Sequence, residues 1–127
     1  MEYSNRILVI DGAEDHLLIC RLILEHRGFN VLPMQGIDTL DELFETIYSF
    51  RPDVIFTDQQ MPGIDGEQII RLLKKAPRFK NIPIIYISAA KRLEKLACSA
   101  GADGYLAKPF KVNELLNILT KYTGYST

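Results

Sequence analysis

A doubly wound α/β domain, with a parallel sheet covered by helices on both faces, is predicted by three features of this 127-residue chain. Short continuous apolar runs, such as Ile7-Leu8-Val9-Ile10 and Val54-Ile55-Phe56, read as strands buried on both faces. Apolar residues at helical spacing lie between them. Gly and Pro fall at the junctions, where they punctuate elements rather than interrupt them. Five strands alternate with five helices, and there is no internal repeat, linker or low-complexity segment, so one domain over residues 1–127 is expected.

The first strand stops at Asp11-Gly12. Glu14 to Arg27 contains no Gly or Pro and reads as a helix closed by Gly28 as its C-terminal cap. Phe29 to Met34 is a weaker strand whose Pro33 favours a sheet edge. Ile37, Leu40, Leu43, Phe44 and Ile47 then recur at helical spacing. The central stretch is TDQQMPGIDG (57–66), which follows Val54-Ile55-Phe56. A buried strand there ends on Asp58 and gives way to a loop marked by Pro62, Gly63 and Gly66. Asp65 offers an N-cap, with Gln68 three residues on to complete a capping box for a helix from Gly66 to Lys75. Ile82 to Ser88, entered through Pro83, is the next strand. Leu93, Leu96, Ala97 and Ala100 mark a short helix closed by Gly101. Tyr105-Leu106-Ala107 is the last strand, and Val112, Leu115, Leu116, Leu119 and Tyr122 give a final amphipathic helix.

Composition narrows the function classes. Apolar residues make up 47% and charged residues 24%, with a net charge of −1, as in a globular domain. No basic block suggests direct contact with nucleic acid, and no apolar run approaches the length of a membrane span. The N-terminal MEYSNR carries no apolar signal segment, so a cytoplasmic location is expected. Cys20 and Cys98 are too few for a disulfide framework or zinc site and read as buried apolar residues. His16 and His26, ten apart on one helix, read as surface or cap residues. On the same helix Ile19, Cys20, Ile23 and Leu24 are assigned to the core. Leu18 and Leu22 are then either an exposed docking ridge or part of a wider core stripe.

The polar groups at the strand ends carry the chemistry. The first strand ends at Asp11, the third at Asp58, the fourth at Ser88 and the fifth at Lys108. Ligands bind open parallel sheets in the crevice outside those ends, so these four side chains are expected in one place. Two acids together raise each other's pKa unless a cation intervenes. Lys108 supplies one charge, and a hard divalent ion such as Mg²⁺ suits the rest. A carboxylate can itself be the nucleophile towards phosphorus, with Ser88 and Lys108 suited to hold the phosphoryl oxygens.

With ILVID (7–11), the D-x-x-MPG-x-DG pattern from Asp58 to Gly66, IPIIYISA (82–89) and GADGYLAKPF (101–110), the chain resembles receiver domains of two-component response regulators nearly end to end. The resemblance implies a flavodoxin-like (βα)5 fold with strand order 2-1-3-4-5. It implies that Asp58 accepts a phosphoryl group from a histidine of a sensor kinase or phosphotransfer protein. Mg²⁺ would be held by Asp58, the Gln60 carbonyl and Asp11. Lys108 would bridge to the phosphoryl group, Ser88 would move towards it and Tyr105 would swing inward behind Ser88. The last helices and strand would pass the signal to an output protein or domain. The Lys108–Pro109 bond would be cis. A receiver is a switch, at most catalysing its own phosphorylation and dephosphorylation.

One departure stands out. Receivers usually carry two consecutive acids after the first strand, and here the pair reads Asp11-Gly12. One metal-ligand carboxylate is missing, and Glu14 and Asp15 are not obvious replacements. Weak Mg²⁺ binding and slow or absent phosphorylation are therefore expected. The alternative is a degenerate receiver that acts as a phosphorylation-independent interaction module. A flavin or nucleotide binder of the same topology fits poorly, because DGAEDH is too acidic for a phosphate loop. An aspartyl hydrolase would place its nucleophile after the first strand beside a cap domain.

Overall fold

The structure is a computed structural model and describes residues 4–126. Its elements run β1 (Arg6–Ile10), α1 (Glu14–His26), β2 (Asn30–Met34), α2 (Leu40–Phe50), β3 (Val54–Asp58), α3 (Gly66–Lys75), β4 (Ile84–Ser88), α4 (Leu93–Ala100), β5 (Gly104–Ala107) and α5 (Val112–Thr123). The strands form one parallel sheet in the order β2-β1-β3-β4-β5. Pro33 falls on the edge strand β2, where a missing N–H costs no ladder bond.

Side chains alternate across a strand, so a continuous apolar run serves two cores. Ile7 and Val9 point to the layer closed by Leu24 of α1 and Leu119 of α5. Leu8 and Ile10 point to the layer closed by Ile47 of α2, Ile70 of α3 and Ala97 of α4. This double burial is why β1, β3 and β4 show no polar alternation until their carboxyl ends.

Several expectations require correction. Ile37 is fully buried but precedes α2, and it bridges to Gly63 instead of opening the helix. Cys20 is buried but Cys98 is exposed on α4. Ile19, assigned to the core, is more than half exposed, as are Leu18 and Leu22. The buried face of α1 is Leu17, Cys20 and Leu24, spaced three and four apart; Ile19 lies two from Leu17 and cannot share it. Helix caps follow the sequence more closely. Asp65 accepts from the Gln68 N–H at 2.9 Å, and Gly101 takes a left-handed φ of 92° at the end of α4.

Candidate functional site

The carboxyl ends of β1, β3, β4 and β5 lie side by side in the sheet, and the crevice opens beside β1, where the winding direction reverses. Asp11, Asp58, Ser88 and Lys108 all stand there. The Lys108 ammonium lies 2.9 Å from Asp11 Oδ2 and 3.3 Å from Asp58 Oδ2. The other carboxylate oxygens take backbone N–H groups: Asp11 Oδ1 accepts from Ala13 at 2.9 Å, and Asp58 Oδ1 from Gln59 at 2.8 Å. These local bonds fix both carboxylates without exhausting their lone pairs. The Lys108–Pro109 peptide is cis, as expected.

Asp58 keeps 13% of its side chain exposed at the floor of an open cleft of about 750 Å³. Gly12, Gln60, Ser88 and Lys108 line the same cleft. Burial, followed by the Asp11 carboxylate, pushes the Asp58 carboxyl above its ordinary range. Lys108 and the Gln59 N–H oppose that push without overcoming it. Behind the acids, burial and then Asp11 push the Cys20 thiol up to about 11, so it stays protonated and inert.

The loop after β3 is folded tightly against the site. Gly66 donates to the Gln59 carbonyl at 3.2 Å, and a Cβ at Gly66 would stand 1.9 Å from the Asp58 carbonyl oxygen. Gly63, at φ 84°, would place a Cβ 2.0 Å from the Ile37 carbonyl oxygen. Both positions therefore require glycine. A Cβ at Gly12 would meet Met61 Cα at 2.9 Å and the Gln60 carbonyl oxygen at 3.0 Å. The loop has closed into the space where a second acid would begin. Glu14 and Asp15 are exposed, and neither lines the cleft.

Ser88 is engaged elsewhere. It donates to Gln59 Oε1 at 2.5 Å and accepts from the Ala90 N–H at 3.0 Å. Tyr105 on β5 is 44% exposed, facing outward. His16 is the residue that sequence reasoning missed. It lines the cleft, with Nδ1 3.0 Å from the Lys108 ammonium, and is no ordinary surface histidine. The signal was its place four residues before buried Cys20 on the first turn of α1, which turns it towards the strand ends. A second groove of about 520 Å³ adjoins the cleft, lined by Ile19, Ile23, Pro109 and Phe110 along with His16 and Lys108.

Residues 7–120 match the family described as the response regulator receiver domain. The chain belongs to that family. It is 32% identical over 117 residues to Protein PilG of Pseudomonas aeruginosa, covering 90% of this chain and 84% of that one. It is 37% identical over 116 residues to Response regulator MprA of Mycobacterium tuberculosis, covering 89% of this chain but only 48% of that one. The chain thus spans about half the length of several relatives it matches. Among solved structures, the receiver domain of a P. aeruginosa sensor histidine kinase superposes with a TM-score of 0.79 at 25% identity, covering 94% of this chain and 97% of that one. That protein is described with a magnesium ion coordinated in its active-site cleft. This chain is accordingly a receiver domain of two-component signal transduction, with the receiver fold in strand order 2-1-3-4-5.

The donor set here is all hard oxygen: two carboxylates that retain free lone pairs, and the Gln60 carbonyl. With one ammonium its net charge is −1, which suits a Mg²⁺ ion that fills its other positions with water and phosphoryl oxygens. Among the described residues no group of three or more His, Cys, Asp or Glu side chains could hold a metal. The residues fit the ion, but with one carboxylate fewer than the usual receiver site.

Proposed function

We propose that this receiver accepts a phosphoryl group on Asp58 from a phosphohistidine of a sensor kinase or histidine phosphotransfer protein. One observation carries the reading: Asp58 is the only cleft-lining carboxylate among the described residues, and its Oδ2 lies 3.3 Å from the Lys108 ammonium. An Asp58 oxygen attacks phosphorus, the bond to the donor imidazole breaks, and the imidazole leaves with that electron pair. Lys108 turns its ammonium to the phosphoryl oxygens as charge spreads over them. Asp11 lies behind it and anchors the Lys108 ammonium at 2.9 Å. Asp11, Asp58 and the Gln60 carbonyl would hold Mg²⁺, which when bound supplies positive charge against the phosphoryl oxygens.

Signalling follows from the Ser88 contacts. Ser88 must leave Gln59 to reach a phosphoryl oxygen, and that movement makes room for Tyr105, now outward, to turn in. The changed surface of α4, β5 and α5 is then what an output protein or domain reads. The exposed ridge of Leu18, Ile19 and Leu22 on α1 suits an approaching apolar helix beside the cleft. Leu22→Glu should slow transfer from a protein donor while leaving labelling by a small donor intact. Equal transfer from the protein donor would remove the ridge from the reading.

Intact-mass spectrometry after treatment with acetyl phosphate and Mg²⁺, beside Asp58→Asn, tests the central claim. One added phosphoryl group in the parent alone is expected. Closure of the loop over Gly12 favours the second reading, a phosphorylation-independent interaction module. No added mass in a folded parent at excess Mg²⁺ would overturn the phosphoacceptor reading and favour that one instead.

A further inference from the structure

An ammonium has three N–H bonds, and Lys108 faces three acceptors. They are Asp11 Oδ2 at 2.9 Å, His16 Nδ1 at 3.0 Å and Asp58 Oδ2 at 3.3 Å. Lysine offers only donors, so a nitrogen 3.0 Å away must be the acceptor. With Nδ1 in that role, the geometry assigns the ring hydrogen of His16 to Nε2. Asp11 Oδ2 is 3.7 Å from His16 Nδ1, beyond hydrogen-bond distance, so the imidazole is directed at Lys108 and not at the acid.

We infer that His16 is a positioning residue that holds the Lys108 ammonium over the Asp11–Asp58 pair. The inference rests on the phosphoacceptor reading above. Gly12 brings no carboxylate to this site, so no third acid is present to take the third N–H of Lys108. His16 reaches in from the first turn of α1 and takes it. The consequence matters most during transfer. Once Asp58 is phosphorylated its charge moves outward to the phosphoryl oxygens, and the Asp58 contact alone no longer fixes the ammonium. Asp11 and His16 remain as two anchors on two elements, and Lys108 keeps one N–H free to follow the charge. A partly exposed imidazole, 46% accessible at its side chain, suffices because it orients the lysine and does not itself meet the phosphoryl group.

Two measurements on the full chain test this. Nitrogen NMR of the unphosphorylated protein reports the tautomer. The expected result is Nε2–H with Nδ1 accepting, and a shift of Nδ1 in Lys108→Met. An Nδ1–H tautomer, or an Nδ1 that ignores Lys108→Met, would overturn the inference. The second measurement is the rate of labelling by acetyl phosphate at saturating Mg²⁺. Losing an acceptor from a charged donor in His16→Leu should slow it roughly tenfold or more. His16→Asn places Oδ1 as many bonds from the backbone as Nδ1 and should recover most of that loss. Equal losses in the two variants would make His16 merely structural and overturn the proposal. A parent that gains no phosphoryl group would instead remove the phosphoacceptor reading, leaving the tautomer to decide the His16–Lys108 contact.

Discussion

Gly12→Asp restores the second acid, and the structure gives its cost. The new Cβ would stand 2.9 Å from Met61 Cα, where ordinary contact begins near 3.4 Å. The loop must therefore retreat by the difference, 3.4 − 2.9 = 0.5 Å. Overpacking of that size typically costs about 1–3 kcal/mol. A third carboxylate adds repulsion: at ~5 Å and an effective dielectric of ~20, each like-charged pair is worth about 3 kcal/mol, part of which Lys108 offsets. Urea unfolding in EDTA should thus show Gly12→Asp less stable than the parent by at least about 2 kcal/mol. On the reading of position 12 as the missing ligand position, the same carboxylate adds a Mg²⁺ ligand, and calorimetric titration should show at least a ~tenfold tighter Kd, a gain of about 1.4 kcal/mol. The stability deficit should shrink by that amount as Mg²⁺ saturates the variant. Unchanged Mg²⁺ affinity would refute the assignment of Gly12 as the missing ligand position. Unchanged stability in EDTA would refute the closure of the loop into its space.

Three further outcomes follow from particular contacts. Gly66→Ala forces a Cβ into the Asp58 carbonyl and should lower stability by about 3 kcal/mol or more, read from the urea midpoint, while Gly104→Ala on β5 meets only side-chain atoms and should cost less. The Tyr86 hydroxyl, on fully buried β4, has no hydrogen-bond partner among the described residues, and burial pushes its pKa up to about 12. Tyr86→Phe should therefore be neutral or stabilising by about 1 kcal/mol; a loss of that size would reveal a partner for the hydroxyl. Asp58→Asn should be more stable than the parent at neutral pH. The folded Asp58 pKa is raised, so this group's favourable contribution is complete below the unfolded value of ~3.9 and is lost as pH rises through the folded value. The advantage of Asn should fade as pH falls towards ~3.9. A difference that stays constant between neutral and acid pH would contradict the raised pKa.

The strand ends were legible because a parallel sheet buried on both faces leaves polar residues almost nowhere else. Ser88 ends an apolar run, and Asp58 follows Val54-Ile55-Phe56 with only the buried Thr57 between, so both acid and hydroxyl read as strand ends. Lys108 was legible through the short strand before it. The Gly12 departure was equally plain, since an absent side chain is visible without coordinates. Ile37 misled because an apolar residue three before Leu40 fits a helical period whether or not the helix has begun. Ile19 misled for a related reason: α1 is apolar on more than one face, so periodicity alone could not select the stripe that meets the sheet.

The sequence by itself determined the alternation of elements, the caps at Asp65 and Gly101, and the four chemical groups brought to the sheet edge. Those depend on period, turn chemistry and local hydrogen bonding, all of which act over a few residues. Only the tertiary structure decided that Ser88 is tied to Gln59, that the loop has filled the space beside Gly12, and that His16 meets Lys108. Each of those pairs joins different elements, 29, 49 and 92 residues apart in the cases of Ser88–Gln59, Gly12–Met61 and His16–Lys108. Side chains that far apart meet only when the whole sheet has set their separation, and a difference of about 1 Å there separates a hydrogen bond from no contact.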